Sequence, residues 1–431
     1  MNKRVMIIGK GGREHALAWK FASYDLVEKV YCVPGNPGTG KEEKVENIYI
    51  EPSDIRKLLD FAIKEKIDLT VVGPEGPLVE GIVDKFSAAG QKCFGPSKKA
   101  AQLEGSKVFA KEFFTRHGIP SASYRVFSDH DSALNFLKRY DFPAVIKVDG
   151  LAAGKGVTIV KNIIECEQIL DDIFNKKVFG LAGSRIVVEE FIPGEELSYI
   201  CMINQSSYLS FASSQDHKAR DDGDKGPNTG GMGAYSPAVL MNKSLEKKIV
   251  DTVIIPTLKG IKKDGLNYTG FLYAGLMIDE NKQIKVLEFN CRFGDPEAQP
   301  VLMRLKTNLF NACLDMLENK NNISKLDFDA GTALTVVLAA KGYPGKFLKN
   351  IKIPINADNK NNSGTNIKIF HAGTYIKNDE VLSNGGRVLN VSSLSKDLKT
   401  ARAIVYKAID DLKIKDLFYR LDIGEKGLKK N

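Results

Sequence analysis

Three observations predict a multidomain chain of mixed α/β and α+β class. Strand and helix signals alternate over the first hundred residues. Near residue 105 the pattern changes to a mixed α+β one. The 431 residues, 43% of them hydrophobic, leave room for roughly three or four domains. The expected plan is an N-terminal Rossmann-like parallel sheet over 1–104, a central region over 105–325 with a smaller module inserted at 121–189, and a small C-terminal α/β domain over 326–431.

The N-terminal strands are expected at 4–9, 29–33, 69–72 and 92–94, with helices at 13–24, 53–66 and 78–89. That βαβα order implies a parallel sheet with helices on both faces and a ligand crevice at the strand C-termini. The strand ends are glycine-rich there, as in Gly9-Lys10-Gly11-Gly12-Arg13, Pro34-Gly35-Asn36-Pro37-Gly38 and Gly73-Pro74-Glu75-Gly76-Pro77. The first string does not fit a dinucleotide fingerprint. In G-x-G-x-x-G register the third glycine is replaced by Glu14, and the second strand ends in Val33-Pro34 instead of an acid for a ribose. A glycine turn entering a helix can still hold an anion with backbone N–H groups and Arg13, and the alternative is a tight βα turn without a ligand.

From 106 to 117 a helix is expected, closed by Gly118-Ile119-Pro120. The inserted module carries strands at 144–148, 157–160 and 185–188 and a helix at 164–174, which is the size of a mobile flap. A polar, glycine-rich segment runs from 213 to 237. An almost wholly apolar strand follows at 270–278, and then a helix at 296–317. Residues 321–328 read as a polar linker and 332–340 as the first strand of the last unit, within which 357–366 reads as an exposed loop.

Between those two apolar elements lies Leu287-Glu288-Phe289-Asn290-Cys291-Arg292-Phe293-Gly294-Asp295-Pro296-Glu297. Period-2 spacing puts Glu288, Asn290 and Arg292 on one strand face. A carboxylate and an amide oxygen two residues apart suit one hard cation such as Mg²⁺, and the arginine beside them suits a phosphate or carboxylate. An isolated E-x-N-x-R can also be a polar face turned to water. The apolar neighbour at 270–278 argues for a buried hairpin whose charged end has a task.

Bulk properties exclude several classes. The net charge of +9 is spread along the chain and mixed with acids, without a basic block interleaved with aromatics, so no nucleic-acid partner is expected. The six cysteines contain no C-x-x-C pair, which argues against a disulfide framework and a zinc site. No apolar run is long enough for a membrane helix, and Met1 to Gly9 leads straight into a strand instead of a secretory signal. A cytoplasmic, membrane-free protein is the expectation.

A strand lysine followed by a small-residue loop, Lys147-Val148-Asp149-Gly150-Leu151-Ala152-Ala153-Gly154-Lys155-Gly156, lets backbone amides approach a polyphosphate without being a Walker loop. With Lys107 upstream, Glu189-Glu190-Phe191-Ile192 and the later Glu288-x-Asn290, it resembles the ATP-grasp superfamily over about 200 residues, the central region then being an ATP-grasp core with its mobile flap. Gly9-x-Gly11-Gly12-Arg13-Glu14-His15-Ala16, Val72-Gly73-Pro74-Glu75, Leu103 to Lys107, Ser214 to Lys218, Gly226 to Pro237 and Arg292 to Glu297 are similar, along essentially the whole chain, to the glycinamide ribonucleotide synthetase family. The point at which the chain ends suggests a single-function member.

That resemblance implies an ATP- and Mg²⁺-dependent ligase of purine biosynthesis, with Mn²⁺ as an alternative ion, joining glycine to 5-phosphoribosylamine through glycyl phosphate. It implies Lys107 and Lys147 on the ATP phosphates under a loop containing Gly154, Lys155 and Gly156, adenine at Glu190, Phe191 and Ile192, and Glu196, or else Glu195, on the ribose. Glu288 and Asn290 would hold the metal. The preceding strand offers only Asp279 at its turn, so a second metal is left open. Arg292 would stabilise developing charge, Asp216 and Asp295 the glycine ammonium, Lys218 the substrate, and Gly11, Gly12 and Arg13 the ribosyl phosphate. Arg292, Lys147 and Asp295 form the implied catalytic set. His15 and His217 read as packing or structural groups, Lys155 as a loop lysine that is either solvated or ligand-bound, and Asp149 as a group that fixes the loop. A transient contact with the enzyme that makes phosphoribosylamine is a further expectation. The competing readings are an ATP-grasp carboxylase or formate-dependent transformylase, and a non-catalytic nucleotide-binding regulator.

Overall fold

The computed structural model describes residues 2–152, 155–354 and 366–429. Strands Lys3–Gly9, Val27–Pro34, Val45–Asn47, Leu69–Val72 and Cys93–Pro96 pair in parallel, as the alternating pattern requires. Val5, Met6, Ile7 and Ile8 are completely buried, the expected result for a continuous apolar run covered on both faces. Strand Val45–Asn47 has no counterpart in the sequence expectation; it is three residues long and only half-buried, so it carries little periodic signal.

Two expected helices are broken. The one at 78–89 is Glu75–Glu80 and Ile82–Ala88, separated by Gly81 at φ +90°, a conformation open to glycine. The one at 296–317 is Ala298–Arg304 and Leu309–Leu317, restarted by Asn308, whose side chain accepts the Asn311 N–H at 3.1 Å. The helix at 164–174 runs as Ile163–Leu170 and then widens to a π-type turn at Asp171–Asn175.

The parallel sheet continues into an antiparallel one. Strand Tyr268–Ile278 pairs with Cys93–Pro96 through Tyr268 and Thr269, and then with Glu195–Ile203 and Ile284–Asn290. A nine-stranded sheet results. Gly270 makes the junction possible, since a Cβ there would stand 2.8 Å from the Cα of Gly95.

Residues 124–190 build a separate four-stranded antiparallel sheet in the order Tyr124–Phe127, Ile186–Glu190, Ala144–Val148, Val157–Val160. It has its own core of Leu137, Ile146, Val160, Leu170 and Ile186. Strand Tyr124–Phe127 and helix His130–Leu137 were not expected from the sequence; the strand is half-exposed and lacks clean alternation.

A third, six-stranded sheet contains Thr332–Ala340, Arg387–Ser395, Asn366–His371 and Leu417–Phe418, packed against helix Leu398–Leu412. Gln215–Asp216 and Gly233–Ser236 belong to it as well, although they lie far upstream in sequence. The candidate substrate segment is thus stitched to the C-terminal strands. All six cysteines are buried free thiols. Among the described residues no helix is long and apolar enough to cross a membrane. The loop expected at 357–366 lies outside the described residues, except Asn366, which opens a strand.

Candidate active site

The three sheets meet at a cleft of about 480 Å³. The flap and the strand leading out of it contribute an apolar part, with Leu151, Val157, Ile159, Phe191 and Ile192. The strand ends of the other sheets contribute a charged part.

Helix Lys107–His117 begins beside the flap because Ser106 caps it, its Oγ accepting the Phe109 N–H at 3.1 Å. Asp149 ties this start to the flap loop. Its Oδ1 accepts from Ser106 Oγ and Val108 N, both at 2.8 Å, and its Oδ2 holds Arg185 at 2.6 Å. Lys107 Nζ reaches Glu288 Oε2 at 3.3 Å. Lys147, on strand Ala144–Val148, places its Nζ 2.9 Å from Glu189 Oε2 and 3.1 Å from the Leu287 carbonyl. The buried Lys111 shares that same Glu189 oxygen at 3.1 Å, and burial pulls its ammonium down to about 8 against the attraction of Glu189.

Glu288 and Asn290 share one strand face and both line the cleft. Burial alone would raise the Glu288 carboxyl; Lys107, Lys218 and Lys147 overcome that and hold it well below the ordinary carboxylate range. A group kept ionised in this way, with an amide two residues on, fits a hard divalent cation. Asp279 is not part of the cleft wall.

Arg292 is clamped between two acids. Its Nη2 lies 3.0 Å from Glu104 Oε1, and its Nε lies 3.3 Å from Glu75 Oε2, an ion-pair contact whose angle makes no hydrogen bond. Glu104 also accepts the Cys291 N–H at 2.7 Å and is raised by burial more than Arg292 lowers it. Asp295 is held by Arg387, at 2.9 Å from Nη2 to Oδ2, and by Gln299 at 3.0 Å. Burial opposes its ionisation, but Arg387 and then Arg13 hold it below its ordinary value.

Most sequence-derived candidates line this one cleft: Arg13, Lys107, Lys147, Gly156, Glu190, Phe191, Ile192, Glu196, Asp216, Lys218, Glu288, Asn290, Arg292 and Asp295. Gly11, Gly12 and Lys155 do not line it. The Gly11 N–H is taken by Glu14 Oε2 at 2.5 Å, so the chain's own carboxylate occupies the helix start that the glycine turn offered to an anion. Lys155 is exposed, and Gly154 lies outside the described residues. Glu196 meets Lys218 at 3.1 Å, and Lys218 lies 3.6 Å from Glu288. His15 is a packed group, bonded to Glu42 at 2.8 Å and to the His371 N–H at 2.8 Å. His217 is another, its pKa lowered to about 4 by burial and Arg420.

Sequence reasoning gave no role to Glu75, Glu104, Glu189, Glu297 or Arg387, all of which line the cleft. The first four stand inside strings already noticed. Arg387 follows Gly385-Gly386, a turn signal without chemistry of its own, and only the pairing of strand Arg387–Ser395 with Thr332–Ala340 brings it here.

The family models described as the phosphoribosylglycinamide synthetase N domain, ATP-grasp (A) domain and C domain match residues 3–104, 105–298 and 333–426. The chain is 49% identical over 426 residues to the phosphoribosylamine–glycine ligase of Allochromatium vinosum, and 49% identical over 428 residues to that of Escherichia coli (strain K12). Each match covers 99% of both chains. A solved phosphoribosylamine–glycine ligase from Thermotoga maritima superposes with a TM-score of 0.80 at 32% identity, over 97% of this chain and 100% of that one. The biotin carboxylase domain of the Hydrogenobacter thermophilus 2-oxoglutarate carboxylase shares the fold alone, with a TM-score of 0.72 at 16% identity, over 99% of this chain and 98% of that one. The chain belongs to the phosphoribosylglycinamide synthetase family.

Proposed function

We infer that the protein is an ATP-dependent ligase that joins glycine to 5-phosphoribosylamine, giving glycinamide ribonucleotide, ADP and phosphate. The observation that carries this reading is the convergence of Lys107, Lys147, Glu288, Asn290 and Arg292 on one cleft, in a chain 49% identical to phosphoribosylamine–glycine ligases over nearly its full length.

The glycine carboxylate attacks the ATP γ-phosphorus, the bond to ADP breaks, and glycyl phosphate forms. The amine of phosphoribosylamine then attacks the acyl carbon, loses a proton and expels phosphate. Phosphoryl transfer of this kind depends on positioning and charge neutralisation, which Lys107, Lys147 and the flap amides supply. Glu190, Phe191 and Ile192 take adenine, and Glu196 the ribose once Lys218 releases it. Glu288 and Asn290 hold Mg²⁺, or Mn²⁺, which when bound neutralises phosphate charge. Arg292, fixed by Glu75 and Glu104, faces the charge that develops on the attacked groups. The ribosyl phosphate rests on Arg13, the member of the Gly11-Gly12-Arg13 set that reaches the wall. The lability of the amine motivates a transient hand-over from the enzyme that makes it; mixing the two enzymes with an inert trap for free amine tests this, since full inhibition by the trap would count against it.

The direct test is purified protein with ATP and Mg²⁺. ADP should appear only when glycine and freshly generated phosphoribosylamine are both present.

A further inference from the structure

Lys111 carries its ammonium in a place where a charge is costly. It stands four residues after Lys107 on helix Lys107–His117, so the two share one helix face. Lys107 reaches into the cleft, whereas Lys111 lies behind the wall, is 2% exposed and does not line the cleft. A lysine buried out of reach of any substrate is destabilising unless a counter-charge offsets it. That counter-charge is Glu189, also 2% exposed, which does line the cleft. One oxygen of its carboxylate, Oε2, meets both Lys111 at 3.1 Å and Lys147 at 2.9 Å, and Oε1 has no hydrogen-bond partner among the described residues. Lys111 is further fixed by the Ala122 carbonyl at 3.3 Å and by the Tyr124 ring, whose centroid is 5.7 Å from Nζ.

We propose that Lys111 is a positioning residue for nucleotide binding: it engages the Glu189 carboxylate from behind the wall and so leaves the Lys147 ammonium available to the ATP phosphates. This rests on the assignment of Lys147 to those phosphates made above.

The balance of charge decides what a phosphate meets. Two ammoniums on one carboxylate leave a net positive charge beside the cleft; without Lys111 the remaining pair is neutral. Glu189 and Lys147 would then hold each other at 2.9 Å in a wall where solvent screens little. An incoming triphosphate would have to break that pair and leave a buried carboxylate unpartnered, which is the expensive way to open an ion pair. With Lys111 in place, Glu189 keeps a cation when Lys147 turns to the phosphates, and Lys147 gives up only its contact with Glu189 and its hydrogen bond to the Leu287 carbonyl. The neighbouring cations do not replace Lys111, because Lys107 is paired with Glu288 at 3.3 Å and Lys285 with Glu190 at 2.7 Å. The adenosine part of the nucleotide does not depend on this exchange, since it lies against Glu190, Phe191, Ile192 and Glu196 in the reading above.

The experiment is competition titration of the full chain with Mg²⁺ at about pH 7, where Lys111 carries its proton, measuring Kd for a non-hydrolysable ATP analogue and for adenosine. Lys111→Met should raise Kd for the ATP analogue by about tenfold or more and shift that for adenosine by less than about twofold. In a Glu189→Gln background the same Lys111→Met change should move Kd for the ATP analogue by less than about threefold, because no carboxylate is left to hold Lys147. A residue that only supported the fold would weaken both ligands alike, and its effect would not depend on Glu189. Should Lys111→Met not fold, Lys111→Gln, which keeps a donor for the Ala122 carbonyl, carries the same expectations. Equal losses for the two ligands, or an undiminished loss in the Glu189→Gln background, would overturn the inference. Lys147→Met separates it from the reading on which it rests. If Lys147→Met weakens the ATP analogue and Lys111→Met does not, the role of Lys111 fails and the phosphate contact of Lys147 stands. If Lys147→Met leaves the ATP analogue unaffected, both fail.

Discussion

Removing Arg387 tests how far the C-terminal sheet supports the cleft. Its guanidinium donates to Asp295 Oδ2 at 2.9 Å, to the Asp295 carbonyl at 2.8 Å and to the Gly230 carbonyl at 2.6 Å. The two paired side chains are 21% and 15% exposed, so solvent screens the pair only weakly. Arg387→Met strands a buried carboxylate and two carbonyls. Breaking such a pair costs roughly 3–5 kcal/mol, and because Gln299 still donates to Asp295 the lower end, about 3 kcal/mol, is expected. That corresponds to about a 150-fold rise in local opening. Hydrogen exchange should therefore speed up in peptides covering 228–236 and 291–299 and not in those covering the flap at 124–190. The effect has a pH signature. Asp295 is held below its ordinary value, so its contribution is present above the unfolded carboxylate value of about 3.9 and is lost as pH falls through the lower folded value. Without Arg387 that loss moves to higher pH. Less than a threefold change in exchange, or an equal change in the flap, would refute the strut.

Glu288→Gln should leave the fold intact and lower Mg²⁺-dependent turnover by about a hundredfold or more; unchanged steady-state kcat would place the metal elsewhere. Gly231→Ala puts a side chain at φ +109° and against Asp216, so it should raise KM for glycine while ATP-analogue affinity, read by fluorescence titration, stays the same. Lys111 has its folded pKa depressed to about 8, below an unfolded value of about 10.4. The unfolded chain therefore binds more protons between those values, and stability attributable to Lys111 rises with pH from about 8 to 10. Denaturation midpoints of the parent and Lys111→Met should diverge in slope across that window, and parallel slopes would exclude it.

Period-2 spacing was enough to place Glu288 and Asn290 together, because strand alternation is local and needs no knowledge of partners; Arg292 lies two residues past the end of strand Ile284–Asn290 and reaches the cleft from the turn that follows it. The parallel strands at 4–9 and 69–72 were legible as short apolar runs followed by glycine turns, the pattern of a strand covered on both faces. The break at Gly81 was hidden by an apolar pattern that continues across it, and the break before Asn308 by apolar residues on both sides. Gly11 illustrates a different case. Its turn has the right shape for an anion, and its N–H is taken by Glu14 in the structure; composition cannot tell an own carboxylate from a ligand's. Arg387 and the pairing of Gly233–Ser236 with Thr332–Ala340 depend on contacts about a hundred residues or more apart, which no local signal encodes.

The measurement closest to the central claim is product analysis with isotopically labelled glycine. Incubated with ATP, Mg²⁺ and freshly generated phosphoribosylamine, the protein should form labelled glycinamide ribonucleotide with one ADP per product, and omission of either substrate should abolish ADP. ADP formation that responds to bicarbonate or formate and is indifferent to glycine would contradict the account.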